Sequence, residues 1–171
     1  MTTLISDLIA EFQRHKKLAD RALAQLDDEA FFHAPGTVNS AALIVKHLAG
    51  NFASRWTDFL ATDGEKPDRN RDGEFVLDEH DTKDKLLDSW ERGWGILFAT
   101  LANLRDSDLE QTVAIRGESH SARQALLRGM THMAYHVGQI LYLVRWLRPE
   151  SDWLTIPPGK SQGFPGQYRR S

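Results

Sequence analysis

Ile5, Leu8, Phe12, His15, Ala19, Ala22 and Leu26 recur at alternating steps of three and four residues, the spacing of one face of a bundle helix. The pattern predicts a first helix over roughly residues 3–26. The stretch Phe31-Phe32-His33-Ala34-Pro35-Gly36 then acts as a breaker, and Asn39 or Ser40 caps a second helix carrying Leu43, Ile44, His47, Leu48, Asn51, Phe52 and Phe59. That helix should end near Leu60. Asp81 opens a third helix with Leu86, Leu87, Trp90, Trp94, Leu97, Leu101 and Leu104 on its inner face. Ser121 and Gln124 form a capping box for a long fourth helix, which turns Leu126, Met130, Met133, Ile140, Leu143 and Leu147 inward and stops at Pro149. Just before it, Thr112-Val113-Ala114-Ile115 alternates polar and β-branched residues ahead of Arg116-Gly117-Glu118, which suits a short hairpin. The fold class read from this pattern is all-α, a four-helix bundle with a small β-hairpin before the last helix.

Residues 62–80 hold two glycines, one proline and dense charge, which is long for a bundle connection and permits a crossover. The tail over 149–171 is Pro/Gly-rich yet carries Trp153, Leu154, Ile156, Phe164 and Tyr168, so it is expected to pack on the bundle. The whole chain, 1–171, reads as one domain, long enough to bury a core without staples.

The absence of cysteine removes disulfides, thiolate metal sites, iron–sulfur clusters and a cysteine nucleophile, so any metal must be held by His, Asp or Glu. A net charge of -3, from 21 basic and 24 acidic residues scattered along the chain, offers no broad field for a phosphate backbone. Nucleic acid is not expected as a partner. The start of the chain lacks a basic region followed by an uninterrupted apolar one, and the longest apolar run, around 140–147, is broken by Arg145. The expectation is a cytoplasmic protein with no membrane partner.

His132 and His136 lie at i and i+4 and project from one helix face, one turn apart. Seven histidines in 171 residues make such a pair weak by itself. The residue after the first histidine is Met133, not the glutamate of a zincin peptidase. The third candidate is His47, an imidazole on the apolar stripe of the second helix. A lone inward histidine is more often a core residue satisfied by a hydrogen bond. Together with the pair on another inward stripe it points instead to a metal held by His47, His132 and His136, an open three-histidine set that leaves a position for substrate or water. Asn51 and Arg55 continue the His47 face, and Gln139 follows His136 by three residues, so these could orient ligands or bind substrate. Arg55 reaching solvent and Gln139 satisfying backbone are equal alternatives. Tyr135 offers a phenolic proton or an interface aromatic. His15 reads as a core histidine or a further ligand, and Trp90 and Trp94 read as core.

These residues resemble the DinB/YfiT-like superfamily of four-helix bundles, within one of its uncharacterised bacterial subfamilies. The resemblance is carried by Asn39-Ser40, Ile44-Val45-Lys46-His47-Leu48 and Asn51, by the run from Arg55 to Pro67, by Ile115-Arg116-Gly117-Glu118, by the run from His132 to Ile140, and by Ile156-Pro157-Pro158-Gly159-Lys160-Ser161. It implies an up-down-down-up bundle with a long connection between the second and third helices. It also implies a metal on His47, His132 and His136, and a homodimer. Characterised relatives include metal-dependent thiol transferases and a thiol-dependent isomerase, in which metal lowers the pKa of a small thiol.

The expected function is therefore a metal-dependent enzyme, a thiol S-transferase or hydrolase acting on a small molecule, with a low-molecular-weight thiol as one candidate partner. The alternative is a non-catalytic, metal- or ligand-binding dimeric bundle of a stress response. The absence of an evident Asp or Glu beside the ligands to serve as general base keeps that alternative open. Zinc or nickel heads the candidate metals, followed by iron or manganese, since three imidazoles accept all four.

Overall fold

The computed structural model describes residues 3–162. Helix α1 (Leu4–Leu23) is opened by a reciprocal Thr3–Ser6 cap and buries Ile5, Leu8, Phe12, Ala19 and Ala22. It ends earlier than the periodicity predicts. A short helix α2 (Asp28–Phe32), not anticipated from the sequence, takes in the first two residues of the expected breaker, because the Asp27 carboxylate caps it through the Ala30 N–H and Phe31 drops into the core.

Helix α3 (Ala41–Trp56) is capped by Ser40 and is buried nearly all round. It stops at Trp56, short of the predicted Leu60: Thr57 turns extended and Asp58 takes a positive φ of 50°, which sends the chain back along α3 while Phe59 stays buried. Helix α4 (Lys83–Asn103) is capped by Thr82 and not by Asp81, whose carboxylate instead accepts from Lys46 Nζ and the Asp78 N–H. Leu86, Trp90, Trp94, Leu97 and Leu101 are buried as predicted, while Leu87 and Leu104 are partly buried. Helix α5 (Ala122–Leu147) starts at the predicted Ser121–Gln124 capping box and ends two residues before Pro149.

Helix directions follow from the side-chain contacts. Ala49 faces Gly93 and the Trp56 carbonyl accepts from Thr100, so α3 and α4 run parallel. His47 meets His132 while Trp56 meets Gly129, so α3 and α5 are antiparallel. Asp20 accepts from Trp90 and Leu26 from Lys83, so α1 opposes α4. Gln25 and Asp27 near the end of α1 bond Asp152 and Arg148 beyond the end of α5, so those two helices point the same way. The bundle is up-down-down-up, and its core centres on Trp94, which contacts Phe12, Phe52, Trp90 and Phe98.

The crossover between α3 and α4 is pinned to the bundle. Ser54 donates to the Gly64 carbonyl and accepts from the Lys66 N–H, while Lys66 Nζ donates to the carbonyls of Ser54 and Asp63. The predicted hairpin is present as β1 (Thr112–Ile115) and β2 (Glu118–Ser121), with Ile115 opposite Glu118. Its turn places Arg116 and Gly117 at φ of 56° and 75°, the left-handed conformation a two-residue hairpin needs. The Asp63 carboxylate accepts both turn N–H groups, which ties hairpin to crossover.

In the tail, Trp153 lies 4.2 Å under the Arg145 guanidinium and Leu154 packs against the core, whereas Ile156 is exposed. Phe164 and Tyr168 lie outside the described residues. No helix among the described residues is long and apolar enough to cross a membrane.

Candidate metal centre

The burial of α3 explains how it can present polar side chains inward. With α4, α5 and the crossover around it, His47, Asn51 and Ser54 all become buried. On α5, His132 and His136 stand one turn apart opposite His47. The ring centroids are 4.8–5.2 Å apart, and one ring nitrogen from each histidine lies within 4.8 Å of the other two.

The hydrogen bonds of the other ring nitrogens set the tautomers. Glu74 Oε2 lies 2.8 Å from His47 Nδ1, and a carboxylate can only accept there, so Nδ1 carries a proton and Nε2 is the nitrogen left for a metal. Gln139 Oε1 accepts from His136 Nδ1 at 2.8 Å, which leaves the Nε2 lone pair of His136 free as well. His47 Nε2 and His132 Nε2 are 3.2 Å apart. Two nitrogens each about 2.0–2.1 Å from one tetrahedral ion would be roughly 3.3 Å apart. Burial, then the charges of His136 and His47, push His132 down to about 3. Burial likewise pushes His136 down to about 4 despite its bond to Gln139. Both are neutral at pH 7, the form a metal takes. Ring nitrogens that converge from three histidines fit a divalent cation, and the three could hold one.

Glu74 is the residue the sequence reading missed. It sits in a 3-10 turn, Asp72–Phe75, inside the densely charged crossover, yet it is buried. Arg69 grips it bidentately, with Nε to Oε1 at 2.7 Å and Nη2 to Oε2 at 2.8 Å, and Arg69 Nη1 continues to Glu65 at 2.9 Å. Burial raises the Glu74 carboxyl, but the hydrogen bonds from His47 and Arg69 and the Arg69 charge outweigh it and hold it below its usual range. It is therefore ionised, and it fixes the His47 ring as an outer carboxylate does in metal sites. Phe75 covers the other side of that ring at 4.6 Å.

One sequence signal did point here. Gly50 lies in the middle of α3, where glycine costs about 1 kcal/mol relative to alanine. A Cβ at Gly50 would stand 2.3 Å from Glu74 Oε1, so the carboxylate reaches the helix only because the side chain is absent. Nothing comparable marks Glu74 itself, which is one acidic residue among many.

Gln139 lies beside His136, its Oε1 2.8 Å from His136 Nδ1. Asn51, Arg55 and Tyr135 line a cavity of about 180 Å³ that opens beside His47 and His132. The ring of Tyr135 meets that of His132 edge-on at 5.1 Å, and burial raises its phenol, which stays protonated at neutral pH. His15 is remote from the centre and bonds the Glu11 carbonyl within α1. Trp90 and Trp94 are core and do not line the cavity.

A family model described as protein of unknown function, DUF1572, matches residues 1–160. The fold is similar to that of a DinB-like protein, YjoA, from Bacillus subtilis, with a TM-score of 0.63 and 18% identity over 82% of this chain and 92% of that one. No curated protein matches the sequence.

Proposed function

We propose, for a chain that belongs to the DUF1572 family of proteins of unknown function and has a DinB-like fold, a metal-dependent enzyme that acts on a small molecule as a thiol S-transferase or hydrolase. The observation that carries this reading is the set of three inward-facing imidazoles beside an open cavity, with an ionised carboxylate fixing one ring. Among the described residues no fourth His, Asp or Glu joins the cluster, which suits an open centre better than a closed structural one. A divalent ion on His47, His132 and His136 would act as a Lewis acid and lower the pKa of a water or thiol beside it.

The chain's own residues would do the rest. Glu74 and Gln139 hold two rings in the tautomers that offer Nε2. Glu74 is committed to Arg69 and His47, so it positions His47 and is not a free base. Tyr135 borders the cavity with a protonated phenol, placed to hydrogen-bond a substrate or donate its proton.

Elemental analysis of protein purified without an affinity tag tests the centre. One equivalent of zinc, nickel, iron or manganese is expected in the native chain and much less in His47→Ala and His136→Ala. Full retention by both variants would sink the ligand assignment. A screen for conjugation of small thiols to an electrophile, and for hydrolysis of small esters and amides, then separates the two reactions. Inertness of the metal-loaded protein in both would favour the non-catalytic binding bundle.

A further inference from the structure

The walls of the cavity beside the histidines are strongly cationic although the whole chain carries -3. Arg55, Arg69, Arg71, Arg116 and Arg128 line it together with one carboxylate, Glu65. They come from α3, the crossover, the hairpin turn and α5, so their clustering is invisible along the chain. Glu65 and Glu74 engage Arg69, and Glu65 also reaches Arg116 at 3.4 Å. Arg71 pairs with Asp72 at 3.6 Å, so counting these three carboxylates two positive charges remain in surplus. Arg55 and Arg128 have no ion-pair partner among the described residues, and Arg55 Nε is buried with no hydrogen-bond acceptor. Burial, then the charges of Arg128 and Arg69, lower the Arg55 guanidinium to about 10. A buried donor without an acceptor is costly, and adding a divalent ion beside it would raise the local charge further.

We propose that this cavity is an oxyanion site and that the substrate is a small molecule bearing a carboxylate or phosphate. Arg55 and Arg128 bind the anionic group, and Arg116 closes the hairpin side. The inference deepens the function proposed above and rests on it for the reaction, but anion binding itself requires no metal. Guanidinium forks match carboxylate and phosphate in a planar, bidentate manner, which lysine would not. A cavity of about 180 Å³ has room for a small-molecule anion. The modest size and the acidic remainder of the surface set it apart from a nucleic-acid groove.

Isothermal titration of metal-free and zinc-loaded protein with succinate, with inorganic phosphate and with neutral succinamide tests the proposal. At least one of the two anions should bind in both forms, and succinamide at least tenfold more weakly than the better anion. Arg55→Met and Arg128→Gln should each weaken anion binding at least tenfold without weakening zinc binding. Arg128 is exposed, so that variant should fold even if Arg55→Met does not. In His132→Ala zinc binding should be lost while the metal-free anion affinity persists, which separates failure of the metal reading from failure of this one. Equal binding of succinamide and both anions, no binding of either anion, or native anion affinity in Arg128→Gln would overturn the anion site.

Discussion

Replacing Gly50 by alanine sets two effects of opposite sign against each other. Alanine favours the helix interior over glycine by about 1 kcal/mol. The added Cβ, however, would stand 2.3 Å from Glu74 Oε1 and 2.8 Å from its Cδ, so the carboxylate must move. That carboxylate accepts one bond from His47 and two from Arg69, and hydrogen bonds to charged groups are each worth about 1.5–3 kcal/mol. Losing one of them outweighs the helix gain and leaves a net destabilisation of about 0.5–2 kcal/mol. At roughly 2–4 °C per kcal/mol for a chain of this size, Tm should fall by about 1–8 °C. Metal affinity should also fall by about 10–100-fold, as it does when a ligand loses its outer partner. Gly95 on α4, whose Cβ would meet nothing within 4 Å, is the control: alanine there should raise Tm by roughly 2–4 °C. In a Glu74→Ala background the clash is gone, so Gly50→Ala should become stabilising. Calorimetry of the metal-free variants and a competition titration for zinc read both quantities. A Gly50→Ala protein more stable than the native chain, with native zinc affinity, would refute the placement of Glu74 against α3.

Glu74→Gln, which removes the charge and keeps the shape, should weaken zinc binding by about 10–100-fold in a chelator competition and leave the helical circular dichroism unchanged. Trp94→Ala should cost about 3–5 kcal/mol in urea denaturation, because the ring is fully buried among Phe12, Phe52, Trp90 and Phe98. The folded pKa values of His132 and His136, about 3 and about 4, lie below the unfolded value of 6.5. Their contribution to stability is therefore complete above pH 6.5 and is lost as pH falls toward 4 and then 3. Melting the metal-free protein from pH 7 to 4 should show a decline that is shallower in His132→Asn, and parallel curves would contradict it. The homodimer implied by the resemblance would sediment at twice the 19.4 kDa of one chain, and a 19.4 kDa species at micromolar concentration would remove it.

The long helices were legible because each has to bury one stripe, and that stripe repeats in the sequence with the period of the helix. The Ser121–Gln124 box, and the cap of α3 as Asn39 or Ser40, were legible for a similar reason, since a cap satisfies backbone groups only three residues away, and the structure selects Ser40. Thr82 was misread as Asp81 because both are good caps, and the choice fell to Lys46, a residue of α3 that claims the Asp81 carboxylate. The end of α3 was overrun because Phe59 keeps the apolar spacing while the backbone at Thr57 and Asp58 has already left the helix.

For the site, local spacing was enough to put His132 and His136 on one face, and a polar residue on an apolar stripe was enough to single out His47. Sequence alone thus determined the four amphipathic helices, their starts to within about a residue, and the three imidazoles on inward stripes, since each of these depends on residues within a turn or two of one another. Tertiary structure alone decided what surrounds those imidazoles. Glu74 reaches His47 from 27 residues away. The arginines of the cavity arrive from four separate segments, and a net charge summed over the chain cancels them. A crossover rich in glycine and charge carries no period to read. Its buried carboxylate is held by Arg69 and by the space over Gly50, which exist only once the crossover has folded back onto α3.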